Sequence, residues 1–79
     1  AEIKETQEKV QKIVLSHEYA RQIHGFYLIK DRKIMRFDIV VSFDAEDRKV
    51  LFDHIIEDVQ KEFPESQLQV AMDTDYAEK

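Results

Sequence analysis

From Ile34 to Phe43, large apolar residues recur at every second position. Met35, Phe37, Ile39, Val41 and Phe43 face one way, while Ile34, Arg36, Asp38, Val40 and Ser42 face the other. A period of two belongs to a β-strand, whose side chains alternate across the sheet. The first of these faces is wholly apolar and needs a covering layer, so the rest of the chain must supply paired strands and helices. At 79 residues there is material for one domain, spanning 1–79, and one core.

The flanking segments read in those terms. Residues before Ser16 are rich in Glu, Lys and Gln and carry Ile3, Val10 and Val14 on one helical stripe, continued by the stem of Arg21, with Ile13 beside it. This helix is expected to end between Ser16 and Gln22. His24 to Lys30 is short, apolar and aromatic, and Asp31-Arg32-Lys33 is a polar connector of hairpin length. The two strands are therefore expected to pair antiparallel. Asp44 reads as the N-cap of a second helix, with Glu46 in its first turn and Asp47 three residues on. Phe52, Ile55, Ile56, Val59 and Phe63 form its apolar stripe, and Pro64 stops it. Gln67 to Met72 alternates again, and Asp73-Thr74-Asp75 closes that strand. The order αββαβ predicts an α+β, ferredoxin-like or metallochaperone-like sandwich, with two helices on one face of a three-stranded sheet. The other face is left open, with Tyr27, Ile29, Ile34 and Val40 as its apolar residues, and invites a partner.

Charge and composition narrow the function. The net charge of −5 argues against non-specific nucleic-acid binding and against docking on anionic lipid. With no cysteine, thiolate metal sites are excluded, leaving His and carboxylate as the strong ligands, and a reducing compartment is favoured. No apolar run reaches the roughly 20 residues of a membrane span. The start at Ala1, directly on a helical pattern, fits a fragment of something longer. Gly25 is the sole glycine, so neither a phosphate loop nor a nucleophile elbow can be built, and an enzyme is not expected.

Candidate ligands are scattered. His54 and Asp58 are four apart on the second helix, so their side chains can approach on its exposed side. Asp53 lies at the edge of the apolar stripe. Asp38 points to the open face near Arg36, and His24, Asp73 and Asp75 sit at strand ends. Each of these also has an ordinary reading as a solvated or turn residue.

The stretch from Val10 to Asp75 resembles the C-terminal domain of cation diffusion facilitators, the cation efflux proteins. There, a helix rich in branched residues ends in Ser-x-Pro-x-Val and the next strand opens with Val-x-Val-His-Asp-Leu. This chain has VQKIVLSHEYARQIHGFYLI, with His24 at the family histidine and Gly25 in place of the aspartate. The family's alternating strand ends in Val-Asp-Pro, matched through RFDIVVSFDAED by Asp44. QKEFPE matches the Glu-Phe-Pro that ends the second helix, and Asp73 matches the acidic end of the last strand.

The resemblance implies a homodimeric domain on the cytoplasmic face of the cell membrane, part of an integral transporter whose own transmembrane domain exchanges protons for Zn²⁺, Fe²⁺, Mn²⁺ or a similar cation. It also implies that the domain binds such cations near its dimer interface, through His24, Asp38, Asp53 and Asp73. The family's other histidines fall at Val40, at Ala71, and at Asp53, or at Lys49 if the second helix is aligned from its end. A carboxylate-rich set favours harder ions such as Mn²⁺ over tightly held Zn²⁺. The alternative is a ferredoxin-like interaction module that dimerises through its open sheet face without metal.

Overall fold

The computed structural model describes residues 2–75. Its elements are α1 (Glu2–Leu15), β1 (Ala20–Ile29), a single 3₁₀ turn (Lys30–Arg32), β2 (Ile34–Ser42), α2 (Arg48–Glu62) and β3 (Gln67–Asp75). The strand with the clearest alternation, β2, is the centre of a three-stranded sheet in the order β1-β2-β3. It pairs antiparallel with β1 and parallel with β3, so the crossover from β2 to β3 runs through α2. This is the expected αββαβ arrangement of ferredoxin-like type.

Met35, Phe37, Ile39 and Val41 are all essentially inaccessible and form the centre of the core. Val10 and Val14 of α1 and Ile55 and Val59 of α2 pack against them, so both helices lie on the same face of the sheet. The rings of Phe26 and Phe37 stack with centroids 6.1 Å apart, which ties β1 to β2 within that core. Phe43, expected to continue the buried row, is instead 40% exposed, because β2 ends at Ser42 and the chain turns away.

Several boundaries differ from the expectation, each for a local reason. The first helix stops at Leu15: the Ser16 hydroxyl donates to the Ile13 carbonyl at 2.6 Å, and the Ser16 and His17 amides close a tightening turn onto Ile13 and Val14. Arg21 therefore lies in a strand and does not extend the helical stripe. β1 begins at Ala20, four residues before His24, because β2 offers pairing along its whole length and Ser42 N–H reaches the Tyr19 carbonyl at 2.8 Å. Two irregularities in register, between Ala20 and Gln22 and between His24 and Tyr27, let the longer strand follow the shorter one. The second sits at Gly25, whose φ of +59° is costly for any residue with a Cβ.

The second helix is capped by Asp47, not Asp44: the Asp47 side chain accepts from Val50 N–H at 3.1 Å. Asp44 instead belongs to the preceding turn, its amide donating to Ser42 Oγ at 3.1 Å, and Glu46 precedes the helix. At the other end the Gln60 side-chain amide donates to the carbonyls of Phe63 and Ser66, both at 2.9 Å, carrying the chain past Pro64 into β3. β3 runs through Asp75, three residues beyond the expected end, because β2 pairs with it up to Ser42.

Candidate interaction and metal-binding face

The sheet face away from the helices is built from alternate residues of all three strands. Pairing register places His24 opposite Asp38 and Asp38 beside Ala71, so these three form one rung. The next rung is Gln22, Val40 and Asp73, and the rung on the other side is Tyr27, Arg36 and Gln69. His24, Asp38 and Asp73, three of the expected ligands, therefore share one face and neighbouring rungs. His24 lies in the middle of β1 and not at its start.

Asp53 does not join them. It sits on α2, which covers the opposite face of the sheet, and its side chain is exposed and 3.7 Å from Lys49 Nζ. An i, i+4 lysine one turn toward the N-terminus is sufficient to explain that contact. His54 is exposed on the same helix, and among the described residues no hydrogen bond or ion pair joins it to Asp58. Asp58 Oδ2 instead lies 2.8 Å from Nε2 of His17, in the turn after α1. Nothing in the local pattern around His17 signals this contact, which spans 41 positions.

The open face is uneven. Tyr27 is 61% exposed, with Ile29 and Ile34 half-buried in the next rung. Val40 and Ser42, toward the other end, are nearly inaccessible. Between them lies a shallow depression lined by Arg36, Asp38, Gln69, Val70 and Ala71. Ala71, with its small side chain, flanks Asp38 on β3. A Cβ at Gly25 would be 3.9 Å from Asp38 Oδ2. Among the described residues neither the Arg36 nor the Asp38 side chain has an ion-pair or hydrogen-bond partner.

One imidazole and two carboxylates are a reasonable donor set for a first-row divalent cation. Within one chain they remain incomplete: among the described residues no three His, Asp or Glu side chains converge on a common point. A cation held here would take its remaining donors from water or from another chain. No described helix is long and apolar enough to cross a membrane. No protein-family model matches the chain, and no curated protein matches it in sequence.

Proposed function

We propose that this chain is the dimerising C-terminal domain of a divalent-cation efflux transporter, lying on the cytoplasmic face of the cell membrane. The observation that carries the reading is the rung His24–Asp38, with Asp73 one rung away, on a sheet face that no helix covers. Two copies meeting through that face bring together two such donor sets. The proposed role is binding and assembly, with no reaction catalysed by this domain. The residues that would hold zinc, manganese or iron are His24, Asp38 and Asp73; Asp53 lies on the wrong side of the sheet to contribute to the same group.

What the chain's own residues do is bring acidic groups of two copies together, and a cation bound between them lowers the repulsion that remains. A cation shifts this equilibrium only by its preference for the closed dimer. At about a hundredfold above its dissociation constant, a ligand bound only to the folded form stabilises it by roughly 2.7 kcal/mol. For a domain of this size that raises the melting temperature by on the order of 10 °C. Titration of Zn²⁺ and Mn²⁺ into the domain, followed by small-angle scattering and thermal melting, tests this. Compaction of the dimer and a higher melting temperature are expected, and both are lost when Asp38→Ala and Asp73→Ala are combined. No response to either metal overturns the regulatory role.

A second reading, an interaction module that dimerises without metal, draws support from Tyr27, a large exposed aromatic beside Ile29 and Ile34. It gives the same oligomeric state with no metal response.

A further inference from the structure

We infer that the open face closes on a second copy of this chain across a two-fold axis through the depression beside Asp38, with Arg36 of each copy pairing with Asp38 of the other. The inference rests on the homodimer reading above and is independent of any cation, since it describes the metal-free dimer.

The argument begins with symmetry. A two-fold interface is self-complementary: if residue i of one copy meets residue j of the other, then j also meets i. Without a bridging cation, a charged face closes on itself only if it carries both signs close to the axis. On this face Arg36 and Asp38 are two positions apart on β2, hence on the same side and about 7 Å apart along the strand. Both lack a partner among the described residues of their own chain. Asp73 and the net charge of −5 would otherwise make two copies repel, so an arginine next to the axis is the group that offsets them.

Shape agrees with charge. Asp38, half-buried, and Arg36, exposed, both line the depression. A long exposed arginine beside a hollow lined in part by a carboxylate offers a projecting group and a recess on one surface. A two-fold axis between them seats each projecting group in the other copy's recess. Arg suits that site, because its planar fork can meet a carboxylate through two hydrogen bonds. Tyr27, on the same rung as Arg36, is then covered at the interface, and an exposed aromatic beside an arginine is the composition of an interface centre.

Size sets the strength. Nine-residue β2 spans about 30 Å, and three strands about 14 Å, so the face offers on the order of 400 Å² per copy. Standard stable interfaces bury about 800 Å² per partner. The face therefore falls at the small end of specific interfaces, the isolated domain associates weakly, and the two symmetry-related charge pairs decide whether it does so at all.

The experiment is charge reversal in the 79-residue chain, read by sedimentation equilibrium at low salt without metal, with circular dichroism confirming that each variant is folded. Arg36→Asp and Asp38→Arg each place like charges across the axis and are expected to weaken the dimer by tenfold or more. The swap Arg36→Asp with Asp38→Arg restores it, and an equimolar mixture of the two single variants forms a heterodimer. The unsubstituted dimer should also weaken severalfold between 50 and 500 mM NaCl, because exposed charge pairs are screened. If the chain dimerises but the single reversals leave it unchanged, if the swap does not restore association, or if salt has no effect, the Arg36–Asp38 axis is wrong while the dimer stands. If the unsubstituted chain is monomeric up to millimolar concentration, the homodimer reading itself falls.

Discussion

His17 Nε2 and Asp58 Oδ2 lie 2.8 Å apart, joining the turn after α1 to α2 across 41 positions of sequence. The imidazole is mostly buried, with 18% of its side-chain surface exposed, whereas the carboxylate is 45% exposed. The contact ties the turn after α1 to α2, the second of the two helices that cover the core, and it sits where α1 gives way to β1. A solvent-screened bond of this kind contributes modestly. A double-mutant cycle with His17→Ala and Asp58→Ala, measured by urea denaturation, should give a coupling of about 0.5–1 kcal/mol with the m-value unchanged. A coupling indistinguishable from zero would mean that the two side chains are merely adjacent.

Phe37 occupies the middle of β2, has no accessible surface and stacks on Phe26. Phe37→Ala should cost about 3–5 kcal/mol through lost transfer energy and the cavity left behind. Total stability for a chain this short is on the order of 4–12 kcal/mol. Thermal melting should therefore show the midpoint lowered by roughly 12–40 °C, at about 4–8 °C per kcal/mol, while Ile55→Val costs only about 0.5–1.5 kcal/mol. A Phe37→Ala variant that melts within a few degrees of the unsubstituted chain would be incompatible with this core.

Gly25 is constrained by its backbone and not by crowding. The nearest atom to an added Cβ is Asp38 Oδ2 at 3.9 Å, an ordinary contact, but φ is +59°. Gly25→Ala should therefore destabilise by about 1–2 kcal/mol, and Gly25→Asn by less, since asparagine tolerates the left-handed region better. Chemical denaturation of the two variants checks the order. Equal costs, or a greater cost for asparagine, would point to space as the limiting factor.

Lys33 Nζ lies 2.9 Å from Glu65 Oε1, linking the β1–β2 turn to the loop before β3. The hydrogen bond from Lys33, and then its charge, hold the Glu65 carboxyl below its ordinary value of 4.5. A depressed folded-state value contributes stability that is present above the unfolded value and lost as pH falls through the folded one. Because the pair is exposed, the effect on stability is small. Side-chain NMR titration should show Glu65 ionising at lower pH than in Lys33→Ala. The stabilities of the two proteins should converge once the carboxyl is protonated. An unchanged Glu65 titration in the variant would sever the link.

The local elements were legible because their signals are local. The row Met35, Phe37, Ile39 and Val41 marks a strand by its period, and Ile55 and Val59 mark a helix by theirs. Pro64 ends α2 where its missing N–H and bulky ring require. Asp44 and Asp47 are chemically alike, so local sequence favours neither strongly as the N-cap of α2. The choice of Asp47 depends on where the chain leaves β2 and on Ser42 holding the Asp44 amide. The early end of α1 was hidden for a similar reason: Ser16 and His17 do not forbid a helix, but pairing with β2 draws the chain into a strand from Ala20. Gly25 was the available clue to a bulge, as the chain's sole glycine in a strand interior.

Of the candidate site, the sequence determined which face of β2 carries Asp38 and Arg36, because alternation alone assigns a side chain to one side of a strand. It also determined the element order αββαβ and the apolar stripes that send both helices to one side of the sheet. Tertiary structure alone decided that His24 stands opposite Asp38, that Asp73 lies one rung away, that Asp53 is excluded, and that Asp58 meets His17 instead of His54. Those relations depend on strand register and helix placement. A slip of one residue would send every side chain of a strand to the other face, and register is set by the packing of the whole core, not by any single segment.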